Sequence, residues 1–258
     1  MFCHTLFHIG LAKVFAASLK EKEQYQNEKM QITACALAVL TITSLPSYAK
    51  DIEVKVAGTI TPSGCTPTLP GDGVIDYGII KSDSLTLDAY TTLEQKNVAL
   101  TITCDAPMKL ALEAKNGRPN TLAGVATEDA ISGAALSPVG VFARERIVVG
   151  LGLSNSARIG GYAILPTEII ADGSEVFFIG RRDNSGKWGA DYGFYSIGIK
   201  PQLSWSEAGG GGRSAEPDAY KNLTIKFGVQ AYINKASELD LTKPVILDGL
   251  TTLELIYL

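Results

Sequence analysis

The sequence predicts an all-β protein, an immunoglobulin-like antiparallel β-sandwich with long loops and one disulfide. Three observations carry that expectation. Apolar residues recur at every second position in several separate stretches, the period of a strand with one buried face. Clusters of Gly, Asn, Asp and Pro divide those stretches, as the turns of a sandwich do. Two cysteines, Cys65 and Cys104, stand downstream of an export signal, in a part of the chain where thiols meet an oxidising compartment.

The export signal comes first because it decides which residues take part in the fold. Residues 1–49 read as leader and signal peptide. Gln31 to Ser44 are uncharged and mostly apolar, Lys29 precedes them, and Ser47 and Ala49 supply the small residues of a cleavage site. Cleavage after Ala49 leaves residues 50–258 as one domain. Met30 is an alternative start, since the charged residues between Lys13 and Lys29 are foreign to a signal peptide. The apolar run is too short for the roughly 20 residues a membrane helix needs, and no later stretch is longer, so no transmembrane span is expected. Cys35 sits inside the run and not after it, which argues against lipidation. The expected location is the periplasm or the cell surface.

After the leader the strands follow in order. Ile52, Val54 and Val56 alternate with Glu53, Lys55 and Ala57; Val98, Leu100 and Ile102 with Ala99, Thr101 and Thr103; Leu223, Ile225, Phe227 and Val229 with Thr224, Lys226 and Gly228. Turns are expected at Pro70-Gly71-Asp72-Gly73, from Lys115 to Asn120, at Ala171-Asp172-Gly173 and from Asp183 to Gly186. Glu207 to Pro217, with Gly209 to Gly212 at its centre, offers no packing surface and reads as a mobile loop. The closing stretch Thr251 to Leu258 alternates again. It places Leu253, Leu255 and Tyr257 on one face, expected in the core, and Thr252, Glu254, Ile256 and Leu258 on the other.

Composition excludes several functions. The chain carries a formal net charge of −4 and no basic block, so nucleic acid is not an expected partner. Both histidines, His4 and His8, lie in the leader. The exported chain therefore lacks the residue on which histidine triads, histidine general bases and ordinary zinc sites depend. No catalytic residue, cofactor or metal is assigned, and the protein is expected not to be an enzyme. With only two cysteines left after export, Cys65 and Cys104 are expected to pair, and no Cys-x-x-Cys spacing suggests redox chemistry.

Against that background a family resemblance stands out. Ile52 to Ile60 followed by Cys65, then Val74-Ile75-Asp76-Tyr77-Gly78, then Leu100-Thr101-Ile102-Thr103-Cys104 and the penultimate Tyr257 resemble chaperone–usher fimbrial subunits. The layout is more similar still to GltF-like bacterial periplasmic proteins. Gly64-Cys65-Thr66-Pro67, Val74 to Gly78, Thr101 to Pro107, Gly150-Leu151-Gly152, Ile159-Gly160-Gly161 and Leu247-Asp248-Gly249 carry that resemblance. It implies an exported sandwich assembled with a periplasmic chaperone and fimbrial subunits. The partner-binding strand would then hold Leu253, Leu255 and Tyr257, and would work by β-strand addition. The GltF-like side implies a soluble accessory or regulatory protein tied to nitrogen or glutamate metabolism.

Other motifs have bland and sharp readings. Gly150-Leu151-Gly152-Leu153-Ser154-Asn155 has the look of a dinucleotide loop, but Asn155 replaces the third glycine and the setting is β-rich, which favours strand and turn. Asp183-Asn184-Ser185-Gly186 begins like a calcium loop but has Phe194 where the twelfth-place glutamate belongs, which favours a hairpin turn. Asn222-Leu223-Thr224 fits a glycosylation acceptor by chance. Trp188, Tyr192 and Tyr195 follow Arg181-Arg182-Asp183 and are the candidate contact cluster for a surface glycan, set against ordinary packing of a strand and its turn. Three functions remain: a fimbrial-like structural or adhesive protein, a periplasmic accessory protein, and a carbohydrate-binding protein.

Overall fold

The computed structural model describes residues 64–182, 186–208 and 215–258, all within the unit Ile60–Leu258. The leader, the strand expected at Ile52, Val54 and Val56, most of the Asp183 to Gly186 turn and the Gly209 to Gly212 run lie outside them. In chain order the strands are β1 (Cys65–Thr68), β2 (Thr91–Thr92), β3 (Lys96–Met108), β4 (Leu110–Asn116), β5 (Ala135–Leu136), β6 (Ile147–Gly150) and β7 (Leu153–Ser154). They continue as β8 (Ala157–Arg158), β9 (Gly160–Ala171), β10 (Ser174–Glu175), β11 (Phe177–Arg182), β12 (Pro201–Ser206), β13 (Tyr220–Ile233) and β14 (Thr251–Tyr257). Between them lie short 3-10 turns, and no α-helix occurs among the described residues.

Two antiparallel sheets result, as the alternation predicts. The larger has the order β1-β3-β13-β9-β6-β5, with β10 on β9 and β2 on β13; the smaller has the order β11-β12-β4-β14. Strands β7 and β8 form a separate hairpin. On β3, Leu100, Ile102 and Cys104 are buried while Thr101 and Thr103 are exposed; on β13, Leu223, Ile225, Phe227 and Val229 are buried. Leu110 and Leu112 of β4 and Leu203 and Trp205 of β12 join the same core from the smaller sheet. Lys109 alone separates β3 from β4, so one extended stretch crosses from sheet to sheet.

Parts of both outer faces are also covered. Leu122, Ala135, Val148, Ala163 and Tyr232 form a second apolar cluster, and Ala111, Ile179, Trp188 and Ala215, with Ile256 against them, form a third. This explains why some strands are buried on both sides and do not alternate, such as β6 with four buried residues in sequence.

The turns form where their residues allow. Asp172 and Gly173, with φ of 45° and 89°, make the two-residue loop between β9 and β10 that the Asp-Gly pair favours. The Gly150 to Asn155 segment is the end of β6 followed by the β7–β8 hairpin, with Asn155 and Ser156 at its tip. No helix follows it, so the strand-and-turn reading is the right one. Gly160 permits close packing of backbones, since a Cβ there would lie 2.0 Å from the Tyr232 carbonyl oxygen. The Cys65–Cys104 disulfide forms as expected, between residues directly opposite in the β1–β3 ladder.

Candidate partner-binding edge

The closing strand β14 pairs along its whole length with β4, Leu253 opposite Ala114, Leu255 opposite Leu112 and Tyr257 opposite Leu110. Among the described residues it ends the smaller sheet and β1 ends the larger, and the two edges meet where Tyr257 reaches Cys65. The alternation of β14 is visible in its packing. Leu253 and Leu255 lie against the main core, whereas Ile256 packs on the opposite face against the Ala111 cluster.

Tyr257 corrects the expectation that the whole face is buried. Its side chain is 49 % exposed, because it stands at the rim where β14 meets β1. There its hydroxyl accepts the Cys65 backbone N–H at 2.9 Å. The tyrosine thus ties the C-terminal edge strand to the first strand of the other sheet, beside the disulfide.

At the other end of β14, Thr251 holds two buried tyrosines. Its hydroxyl lies 2.6 Å from the Tyr162 hydroxyl and 3.0 Å from that of Tyr195. Burial pushes Tyr162 up to about 12 and raises Tyr195 further, so both are neutral hydroxyls at any ordinary pH. Just upstream, Asp248 receives both arms of the Arg118 guanidinium at 2.7 Å, which holds its carboxyl below the usual range. Gly249 allows this segment to come close: a Cβ there would lie 2.8 Å from the Tyr162 ring.

Among the described residues, the core is open between the two edges. An apolar groove of about 560 Å³ runs between Leu69, Ile75 and Tyr77 on one side and Leu247, Leu253 and Leu255 on the other. A second cavity of about 670 Å³ shares Val74, Ile75, Tyr77 and Leu247 with it and continues between residues 74–82 and 239–247. Exposed apolar side chains border this path, Ile79 at 97 %, Ile246 at 78 % and Val74 at 69 %. Tyr77 is fixed beneath it, donating to the Val229 carbonyl at 3.1 Å and accepting from the Ala231 N–H at 3.2 Å. Burial raises the Tyr77 hydroxyl too.

The glycan cluster does not assemble into a platform. Trp188 is 6 % exposed and lies under Arg181, whose guanidinium is 4.5 Å from its ring centre. Tyr195 is 7 % exposed and belongs to the main core. Only Tyr192 keeps partial exposure, with Arg182 at 5.8 Å. A sugar needs open aromatic faces, and here packing and the arginines occupy them. The sequence reading missed the walls of the groove, because residues 74–80 and 241–250 have no alternation to mark them. The Val74 to Gly78 and Leu247-Asp248-Gly249 motifs were the available signal.

No group of three or more His, Cys, Asp or Glu suited to a metal occurs among the described residues. No helix among them is long and apolar enough to cross a membrane.

Comparison with known proteins finds one family model and two proteins of Escherichia coli that this chain is similar to. Residues 54–163 match a family described as a protein of unknown function, DUF1120. The chain is 33 % identical over 91 residues to Protein GltF of Escherichia coli (strain K12), a stretch covering 34 % of this chain and 36 % of that protein. It is 22 % identical over 253 residues to the uncharacterized protein YhcF of the same strain, covering 90 % of this chain and 99 % of that one. The chain is thus similar to GltF over about a third of that protein's length and to YhcF over nearly the whole of its length.

Proposed function

We propose that this is an exported, non-enzymatic, fimbrial-like protein that binds partners by accepting an extended strand along the β14 edge, in a structural or adhesive role. The observation that carries the reading is the apolar groove of about 560 Å³ between the terminal strands of the two sheets. A sandwich that leaves core residues such as Leu253 and Leu255 facing a groove gains from a strand whose alternate side chains fill it, while backbone hydrogen bonds form along an edge that no described strand pairs. At roughly 3.3 Å per residue, a strand covering the seven residues of β14 is about 23 Å long. Such a partner carries apolar side chains at alternate positions and no charge on the inward face.

The test is binding of a labelled nine-residue peptide with isoleucine and threonine in alternation, followed by fluorescence anisotropy. Leu255→Asp should weaken binding by at least tenfold, whereas Glu254→Gln, on the opposite face, should leave it unchanged. Equal binding by wild type and Leu255→Asp would reject the groove as the site. The GltF likeness favours a second reading, a free periplasmic accessory protein. A monomer that ignores strand peptides and co-purifies with no chaperone would favour that second reading.

A further inference from the structure

We propose that residues 241–247 form a liftable strap along this groove, pinned at both ends and held shut at its C-terminal end by the Arg118–Asp248 pair. The proposal deepens the strand-accepting reading, from which the strap takes its purpose. Within 241–247 the backbone belongs to no strand. Among the described residues, its one hydrogen bond runs from the Thr242 N–H to the neighbouring Asp240 carboxylate. The strap is held down instead by the side chains of Leu241, Val245 and Leu247 against the core, while Ile246 points to solvent.

Its ends are different. On the N-terminal side, the short turn Ala236–Glu238 is fixed by N–H donation from Ala236 to Thr86 and from Ser237 to Leu87. On the C-terminal side, Asp248 combines the two-armed Arg118 contact with N–H donation to Leu151, and the Leu250 carbonyl accepts from Gly117. The middle can therefore rise without loss of a backbone hydrogen bond to any other described part of the molecule. What resists it is apolar contact and the pair at Asp248.

The strap forms one wall of the cavity of about 670 Å³, and Ile233 of β13, 3 % exposed, lines that cavity. Lifting the strap uncovers Ile233 and widens the groove in line with β14. The C=O groups of residues 241–247, and their N–H groups except at Thr242, which is bonded to Asp240, and Pro244, which has none, then become available to an incoming strand, extending the edge it can use.

Thiol labelling tests this in the oxidised exported chain, which has no other free cysteine once the leader is removed. Ile233→Cys reports on the cavity beneath the strap, and Ile169→Cys, 1 % exposed, reports on core away from it. Leu239→Cys, 9 % exposed and also lining the cavity, replaces Ile233→Cys if that variant does not fold. Arg118→Gln should speed labelling beneath the strap by roughly two- to fivefold, the range of a partly exposed ion pair, with Ile169→Cys unchanged. Equal acceleration at both positions would mean general loosening and would overturn the strap, as would no acceleration beneath it. The measurement needs no partner, so its failure is distinct from failure of the peptide assay.

Discussion

Replacing Thr251 by Val tests the anchor of the edge strand with nearly no change of shape. By area alone the substitution should be neutral or favourable, since a hydroxyl becomes a methyl in a half-buried place. The structure reverses that sign. Tyr162 and Tyr195, each 7 % exposed, both direct their hydroxyls to Thr251 Oγ1, and the variant leaves both without their partner. A buried unsatisfied hydroxyl costs about 1–3 kcal/mol. The groove beside Tyr162 can admit water and lowers its share, so the expected total is about 2–4 kcal/mol. At roughly 2–4 °C per kcal/mol for a domain of this size, the melting temperature should fall by about 5–15 °C. Urea unfolding with the disulfide intact should show a lower midpoint at constant slope. Thr251→Ser should retain most of the stability. In the Thr251→Val background, Tyr195→Phe should cost less than it does alone, because its hydroxyl is already orphaned. A Thr251→Val protein as stable as wild type would refute the anchor.

Further outcomes follow from the same geometry. Replacing Cys65 and Cys104 together by Ala should destabilise the fold by about 3–4 kcal/mol, the chain-entropy value for a separation of 39 residues, read as a shift in urea midpoint. Tyr257→Ala should cost only about 1–2 kcal/mol, because the side chain is 49 % exposed, and melting curves would show whether it instead behaves as a core residue. Gly249→Val should be poorly tolerated, as its Cβ would meet the Tyr162 ring at 2.8 Å, and circular dichroism of the purified variant would reveal the loss. Tyr162 and Tyr220 titrate near 12 when folded against 10 when free. Raised values mean stability that is whole below pH 10 and falls as pH climbs toward 12, where unfolding and tyrosinate absorbance should appear together. Asp129, Asp172 and Asp248 are lowered by Ser132, by Lys221 and by Arg118 respectively. Their stabilisation is present above the ordinary carboxylate value and lost as pH drops through the lowered ones, so acid unfolding should begin later in wild type than in Asp172→Asn.

The sequence alone determined the features whose cause is local. Alternation along Val98 to Thr103 and Leu223 to Val229 fixes which side chains share a face, because a strand repeats every two residues. Asp172-Gly173 fixes a two-residue turn, because both residues accept positive φ. The expected pairing of Cys65 with Cys104 follows from cysteine count and position alone, and the disulfide is present. Tertiary structure decided what depends on neighbours distant in sequence. Tyr257 satisfies the alternation but ends at the rim, opposite Leu110 at the end of β4, where no described strand covers its ring. Trp188 and Tyr195 are aromatic residues of one segment, yet one packs on the outer face of the small sheet and the other enters the main core. The groove itself joins residues 67–77 with 247–255. No local period marks those segments, because they are held by single side chains such as Tyr77 and Asp248 and not by a ladder, and the space between them exists only once both sheets have closed.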